Sequence, residues 1–205
     1  MDDSAIVHII DDDESLSRAL DRLFRSVGLE TRFYASARDF IAAARVDRPG
    51  CLVLDVRLPG LSGLEFQSQL GELRISLPVV VMTGHGDIPM SVKAMKAGAV
   101  DFLPKPFRDQ DMLDAVATAI ERDRGRREEE REIEDLRGRY ALLTSREREV
   151  MAGVTAGRMN KQVAGDLGLS EVTVKIHRGS AMRKMGARSL ADLVRMAQTL
   201  LQKQT

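Results

Sequence analysis

The chain has 205 residues, 43% hydrophobic and 30% charged, and its 31 basic and 31 acidic side chains cancel to a net charge of zero. No run approaches the roughly 18 apolar residues of a membrane span, and MDDSAIVHII lacks the basic opening of a signal peptide, so no membrane association is expected and the protein reads as cytoplasmic. The single cysteine, Cys51, can form no internal disulfide, and His8, His85 and His177 stand too far apart for zinc-ligand spacing, which excludes disulfide-stapled and zinc-finger classes.

Over the first 120 residues, short runs rich in Val, Ile and Leu alternate with longer stretches of helical period, which predicts five β/α units. The expected strands are AIVHII from Ala5, ETRFY from Glu30, CLVLD from Cys51, PVVVM from Pro78 and VDFL from Val100. Three central runs are apolar on both faces, as in a parallel sheet covered by helices on each side; polar ETRFY reads as an edge. Leu16, Leu20, Leu23, Phe24 and Val27 form the apolar stripe of a first helix closed by Gly28. A later helix takes Asp87 as N-cap, carries Pro89 in its first turn and ends near Gly98. From Asp109 the helical period runs through Leu113, Val116 and Ile120 into RDRGRREEEREIEDLRGRY, read over 121–132 as a solvated charged helix with Gly125 and Gly138 as hinges. Ile133, Leu136, Tyr140 and Leu143 then step by three, four and three, a short heptad seam that helps two chains align.

Thr144 and Glu147 have capping-box spacing before a helix carrying Val150 and Val154. NKQVAGDLGLS and EVTVKIHRGSAMRKM follow, two helices joined by a turn at Gly168 with Ser170 capping the second, the pattern of a helix-turn-helix. A last helix from Ser189 to about Leu201 places Leu190, Leu193, Val194 and Ala197 on one face. The expected fold class is α/β, a doubly wound five-stranded parallel sheet over 1–122, then a long linker helix over 123–142 and an all-α four-helix helix-turn-helix domain over 143–205. Net neutrality hides a gradient across these parts. Residues 1–124 carry 15 basic and 20 acidic groups and residues 144–205 carry 11 and 5, an acidic domain ahead of a basic one that fits a nucleic-acid binder.

Four separate apolar runs end in polar residues: Asp11 and Asp12, Asp55, Thr83 and Lys105. Strand ends on one edge of an open parallel sheet share a crevice, so these residues are expected to meet. Magnesium prefers near-octahedral oxygen and is usually held by one or two carboxylates plus phosphate oxygens, which points to Asp12 and Asp55 as ligands with Asp11 assisting. An aspartate carboxylate is also a nucleophile that can carry a phosphoryl group, and Asp55 is the expected one. The Lys105 ammonium and Thr83 hydroxyl would offset charge on the moving oxygens, and no general base is required.

IIDDDES, LVLDVRLPGLSG, VMTGHGD and FLPKPF, in that order over residues 4 to about 122, resemble the receiver domains of bacterial two-component response regulators. The resemblance implies that Asp55 accepts phosphate from a sensor histidine kinase, that Asp11 and Asp12 with the Arg57 carbonyl hold magnesium, that Lys105-Pro106 is cis, and that Phe102 is the switch aromatic that turns inward as Thr83 moves toward the phosphate. Arg57 and His85, two positions after the phosphoacceptor and the switch threonine, are expected to shield the phosphoryl group from water.

LTSREREV, GRMNKQVAGDLGLS and EVTVKIHRGSAMRKMGARSLADLVRMA resemble the DNA-binding domain of the LuxR/NarL/FixJ class, with the run Thr173 to His177 as its mark. By that resemblance Thr173, Lys175, Ile176 and Arg178 meet the groove or backbone of double-stranded promoter DNA, and Lys161, Arg183 and Lys184 meet phosphates. Gly179 departs from the class, which commonly carries a longer polar side chain there. The whole chain resembles the FixJ and styrene-catabolism regulator branch. That implies a non-enzymatic transcription regulator that forms a homodimer on phosphorylation and acts on RNA polymerase. Two alternatives are a receiver that works without phosphorylation and a haloacid-dehalogenase-like phosphatase; the latter wants a second acid where this chain has Arg57.

Overall fold

A computed structural model describes residues 4–43, 47–84 and 88–202 and divides the chain into two compact units, residues 1–127 and 128–205. In the first unit the strands are β1 (Ile6–Ile10), β2 (Glu30–Tyr34), β3 (Gly50–Asp55), β4 (Val79–Thr83) and β5 (Asp101–Pro104). All neighbours are parallel, in the order β2-β1-β3-β4-β5, so the polar run ETRFY is an edge as its composition implied. Helices α1 (Glu14–Ser26), α2 (Ala37–Ala42), α3 (Gly63–Gln69) and α4 (Ile88–Lys96) alternate with the strands. Helix α5 (Asp109–Ala141) follows β5.

The sheet separates two cores, as a doubly wound topology requires. Val7, Ile9, Cys51, Val53, Val80 and Met82 face Leu20 and Phe24 of α1 and Met112, Val116 and Ile120 of α5. Ile10, Leu52, Leu54 and Val81 face Phe40, Leu64, Phe66 and Ala94 of the other three helices. This two-sided burial explains why the central strands read as unbroken apolar runs. Burial also pushes the Cys51 thiol well above its usual range, the nearby Asp123 charge adding to it, so the residue is an inert core side chain.

His8 breaks the apolar run of β1. Its Nδ1 lies 3.1 Å from the Tyr34 hydroxyl, and its ring meets Phe40 edge-on. Burial, with Arg32 adding to it, lowers its pKa from 6.5 to about 4, so the folded protein holds it neutral. Because the unfolded chain binds the proton more tightly, the first unit should keep the full contribution above pH 6.5. It should lose it as pH falls through 6.5 toward 4, at up to about 1.4 kcal/mol per pH unit. Denaturant titrations of wild type and His8→Leu check this: the difference in pH slope must lie in that window.

The charged stretch 121–132 is helical, but it is not wholly solvated. Asp123 is fully buried, accepts the Gly50 N–H at 3.1 Å, and pairs with Arg126 at 2.6 Å and Arg127 at 2.7 Å. Helix α5 also runs without a break through Gly125 and Gly138, so neither glycine interrupts it. Four-apart Asp–Arg pairs and continued backbone hydrogen bonding offset the intrinsic cost of each glycine, about 1 kcal/mol relative to alanine.

In the second unit, α5 continues into α6 (Ser145–Thr155), α7 (Asn160–Leu167), α8 (Glu171–Met185) and α9 (Leu190–Gln202). Leu136, Tyr140 and Leu143 pack with Val150, Val154, Val174, Ala181, Met185 and Leu193 in one core. Three of the four heptad-seam positions are therefore spent within this chain, where they complete the core that the short helices need. On α9, Leu193 is fully buried but Leu190 is largely exposed, so the inward face is narrower than the sequence pattern implied. Among the described residues no helix is long and apolar enough to cross a membrane.

Candidate functional site

Strand register explains how the acids meet. Ile10 pairs with Leu54, so Asp11 emerges beside Asp55; Asp55 pairs with Met82, so Thr83 follows directly on the next strand. Thr83 in turn lies opposite Pro104, and the Lys105 N–H donates to the Thr83 carbonyl at 2.7 Å. All four positions stand at the carboxyl edge of the sheet, where this topology places ligands.

The Lys105 ammonium sits between two carboxylates, 2.8 Å from Asp11 Oδ2 and 3.2 Å from Asp55 Oδ1. Burial alone would lower its pKa, but the hydrogen bond and charge of Asp11, with Asp55 behind it, raise it above the ordinary lysine value. Burial raises the Asp55 carboxyl pKa; Lys105 opposes the rise and Asp11 reinforces it. Asp11 accepts the Asp13 N–H at 2.8 Å, and Asp13 caps α1 through the N–H groups of Ser15 and Leu16, which fixes the turn that aims the acids. Asp11, Asp12 and Asp55 each offer an oxygen within 4.8 Å of the others; Asp12 is exposed and its neighbours are buried. Asp55 Oδ1 is buried, and no donor among the described residues is aligned for a hydrogen bond to it. Three carboxylates that one lysine does not balance, a set of hard oxygen donors open to solvent through Asp12, fit a magnesium ion.

Thr83 is fully buried, and Phe102 packs partly buried against the apolar cluster of α2, α3 and α4. Lys105-Pro106 is cis. Arg57 is exposed, and its backbone N–H donates to Asp55 Oδ2 at 3.2 Å. His85 and Asp87 lie outside the described residues.

Gly63 matters to the site although the sequence reading passed over it. Its N–H donates to the Val56 carbonyl at 2.9 Å, and a Cβ there would lie 2.0 Å from the Asp55 carbonyl oxygen. The start of α3, held by the reciprocal Ser62–Glu65 cap, thus presses on the backbone of Asp55 itself. The S-x-x-E spacing was a readable signal for the cap, though not for the close approach. Gly63→Ala should displace the Asp55 loop and destabilise the unit by about 1–3 kcal/mol, the range for overpacking. Denaturant unfolding alongside uptake from a phosphodonor checks this; an alanine variant with wild-type values for both would refute the close contact.

In the second unit α7 and α8 form the helix-turn-helix. Gly168 takes the left-handed conformation at φ 65°, and Ser170 caps α8 through the Thr173 N–H. Val174 of α8 is fully buried, whereas Lys175 and Ile176 of the same helix are exposed. Lys161 and Arg183 are exposed, Arg178 donates to Asn160 Oδ1 at 3.2 Å, and the Thr173 hydroxyl lies 2.8 Å from that of Ser170.

Lys184 departs from expectation. Its ammonium lies 2.7 Å from the nearly buried Glu147 and 3.2 Å from the Leu142 carbonyl. Glu147 also accepts from Ser180 at 2.5 Å and from the Thr144 N–H at 2.8 Å. Lys184 first, then Ser180 and the cap, hold the Glu147 pKa down at about 2. Lys184 thus neutralises a buried carboxylate while keeping 35% of its side-chain surface exposed.

Residues 7–117 match the model of the response regulator receiver domain, and residues 141–197 match that of the bacterial regulatory proteins of the luxR family. Nodulation protein W of Bradyrhizobium diazoefficiens is 58% identical over 196 residues, 96% of this chain and 86% of its own. The transcriptional regulatory protein FixJ of Rhizobium meliloti is 44% identical over 191 residues, 93% of this chain and 94% of its own. Among solved structures, the response regulator StyR superposes with a TM-score of 0.84 at 45% identity, over 95% of this chain and 98% of its own. Receiver and LuxR-type domains occur here in one chain, in the order and at the positions where the two sites stand. The chain belongs to the two-component response regulators of the LuxR/FixJ class: it is a phosphorylation-dependent, DNA-binding transcription regulator, not an enzyme, and its partners are a histidine kinase and DNA.

Proposed function

We propose that Asp55 is the phosphoacceptor of a receiver domain spanning 1–122, joined by a helical linker at 123–142 to a DNA-binding domain at 143–205. The observation that carries the assignment is the Lys105 ammonium held between the buried carboxylates of Asp11 and Asp55. Asp11, Asp12 and Asp55 with the Arg57 carbonyl would hold Mg2+, which when bound offsets charge on the phosphoryl oxygens. An Asp55 carboxylate oxygen takes the phosphoryl group as its bond to a nitrogen of the kinase's histidine breaks. Ionised Asp55 needs no base to remove a proton, and Lys105 stabilises the phosphoryl oxygens. Thr83 turns its hydroxyl toward the new phosphate, and Phe102 follows inward.

Ile88, Val92 and Met95 of α4 are 80%, 44% and 47% exposed, and their four- and three-residue steps make one apolar stripe. That stripe supports a homodimer formed through α4, β5 and the first part of α5, which brings two recognition helices to half-sites about one turn of DNA apart. Lys161, Thr173, Lys175, Ile176, Arg178 and Arg183 face the DNA, in the cytoplasm, where the dimer meets RNA polymerase.

A small-molecule phosphodonor with Mg2+ should convert monomer to dimer in light scattering and raise affinity for DNA fragments selected from the genome. Chelating Mg2+ beforehand should abolish both changes. A dimer that forms equally well without donor would instead favour a phosphorylation-independent regulator.

A further inference from the structure

A pocket of about 270 Å3 opens in the first unit among the loops that lead into β3 and β4, at the opposite edge of the sheet from Asp55. One wall is aromatic. The His8 and Tyr34 rings stack at 5.9 Å, and Phe40 meets them edge-on at 5.5 and 5.2 Å. Ile75 and Leu77 add an aliphatic wall. Roughly 150 Å3 of apolar space holds one benzene ring, so the pocket has room for a ring and a substituent.

The polar part of the lining is built at some cost to the fold. An apolar residue would fill β1 at His8, yet the chain carries an imidazole that is 8% exposed and makes one hydrogen bond, from Nδ1 to the Tyr34 hydroxyl. With the tyrosine donating, the neutral ring keeps its proton on Nε2, a donor that has no partner among the described residues. Arg74 is left-handed at φ 54°. Its N–H reaches the Gly71 carbonyl at 3.0 Å and the Ile75 N–H the Leu70 carbonyl at 2.9 Å, the pattern of a helix stop whose left-handed position favours glycine. An arginine held there despite the strain points to a use for its side chain. Arg127 spends Nε on Asp123 and Nη1 on Asp47, which leaves some of its five N–H donors without a partner among the described residues. Arg74, Arg126 and Arg127 line the pocket against one acid, Asp47.

We propose that this pocket binds a small aromatic carboxylate. Its ring lies against Tyr34 and Phe40, its carboxylate meets the Arg74 and Arg127 guanidiniums, and His8 Nε2 donates to one of its oxygens. A planar guanidinium matches a carboxylate in charge and shape, and a single negative charge suits a rim that still holds Asp47.

Full-length protein would be titrated with benzoate, benzamide and acetate at neutral pH and followed by amide NMR spectra. Benzoate should bind with a dissociation constant at or below about 1 mM and shift the signals of Ala43, Ser76 and Leu77. Benzamide keeps the ring without the charge and should bind about tenfold more weakly, the effect of one charge-assisted hydrogen bond. Acetate keeps the charge without the ring and should leave these signals in place. Arg74→Gly fits the left-handed turn better than arginine, so it should melt no lower than wild type and still lose about tenfold in benzoate affinity. His8→Phe keeps a ring without the donor and should lose a similar factor. Asp55→Asn should bind benzoate as wild type does. Benzoate that shifts none of these signals, or binds no better than benzamide, overturns the proposal. A folded Arg74→Gly with wild-type affinity overturns the role of Arg74. Loss of binding in Asp55→Asn would place the anion at the acid site and overturn the pocket, with the phosphoacceptor assignment untouched.

Discussion

An Asp55→Asn variant, given a small-molecule phosphodonor and Mg2+, should take up phosphoryl label only at background, while wild type gains one group per chain. The amide keeps the shape of the carboxylate and removes its charge and nucleophilicity, so folding stays intact and only the chemistry is lost. A second variant separates nucleophile from environment. In Lys105→Ala the acceptor remains, but the ammonium shared by Asp11 and Asp55 is gone, and uptake should slow by about a hundredfold, the usual cost of removing one preorganised charge. Label retained in Asp55→Asn would place the acceptor elsewhere, and an unlabelled wild type would return the protein to the phosphorylation-independent reading. A haloacid-dehalogenase-like phosphatase would need a second acid at Arg57, which is exposed and touches Asp55 only through its backbone N–H.

The parts of this site that were legible in the sequence owe it to topology. Once five apolar runs are read as parallel strands, the residues at their carboxyl ends must meet, whatever fills the 43 residues between Asp11 and Asp55. Helix starts were legible too, because Ser170 and the Thr144–Glu147 pair act through neighbours three residues away. Side chains whose role depends on a distant partner were hidden. Lys184 looks like any basic residue on a DNA-binding helix, yet its partner Glu147 lies 37 positions earlier. The apolar steps through Leu136, Tyr140 and Leu143 carried the right period but gave no sign that their partners were α6, α8 and α9 of the same chain. Gly63 was invisible for a related reason: only the path of the Asp55 backbone makes a Cβ impossible there.

Asp123→Ala should destabilise the first unit by about 3–5 kcal/mol, the cost of breaking a buried ion pair by removing one partner. Against the 5–15 kcal/mol that holds an ordinary domain, that is a large share. The carboxylate is fully buried and accepts from three residues: Arg126 through Nη2 at 2.6 Å and Nε at 3.2 Å, Arg127 Nε at 2.7 Å and the Gly50 N–H at 3.1 Å. Arg127 also reaches Asp47 at 2.5 Å, and Gly50 is the first residue of β3, the strand that ends in Asp55. Removing the carboxylate strands the Gly50 N–H at the base of the sheet and takes from Arg126 and Arg127 the buried partner they share, Asp47 remaining to Arg127. Arg126 and Arg127 each keep 29% and 15% of their side-chain surface, so relaxation toward water would recover part of the loss. Asp123→Asn retains an acceptor oxygen for Gly50 and should fall between alanine and wild type. Denaturant unfolding of the full chain, followed by a probe of the β-rich unit, gives the comparison. A loss below about 1 kcal/mol in the alanine variant would mean that the cluster behaves as a surface network, as the charge pattern alone implied, and that α5 is held to the sheet by Met112, Val116 and Ile120 without it.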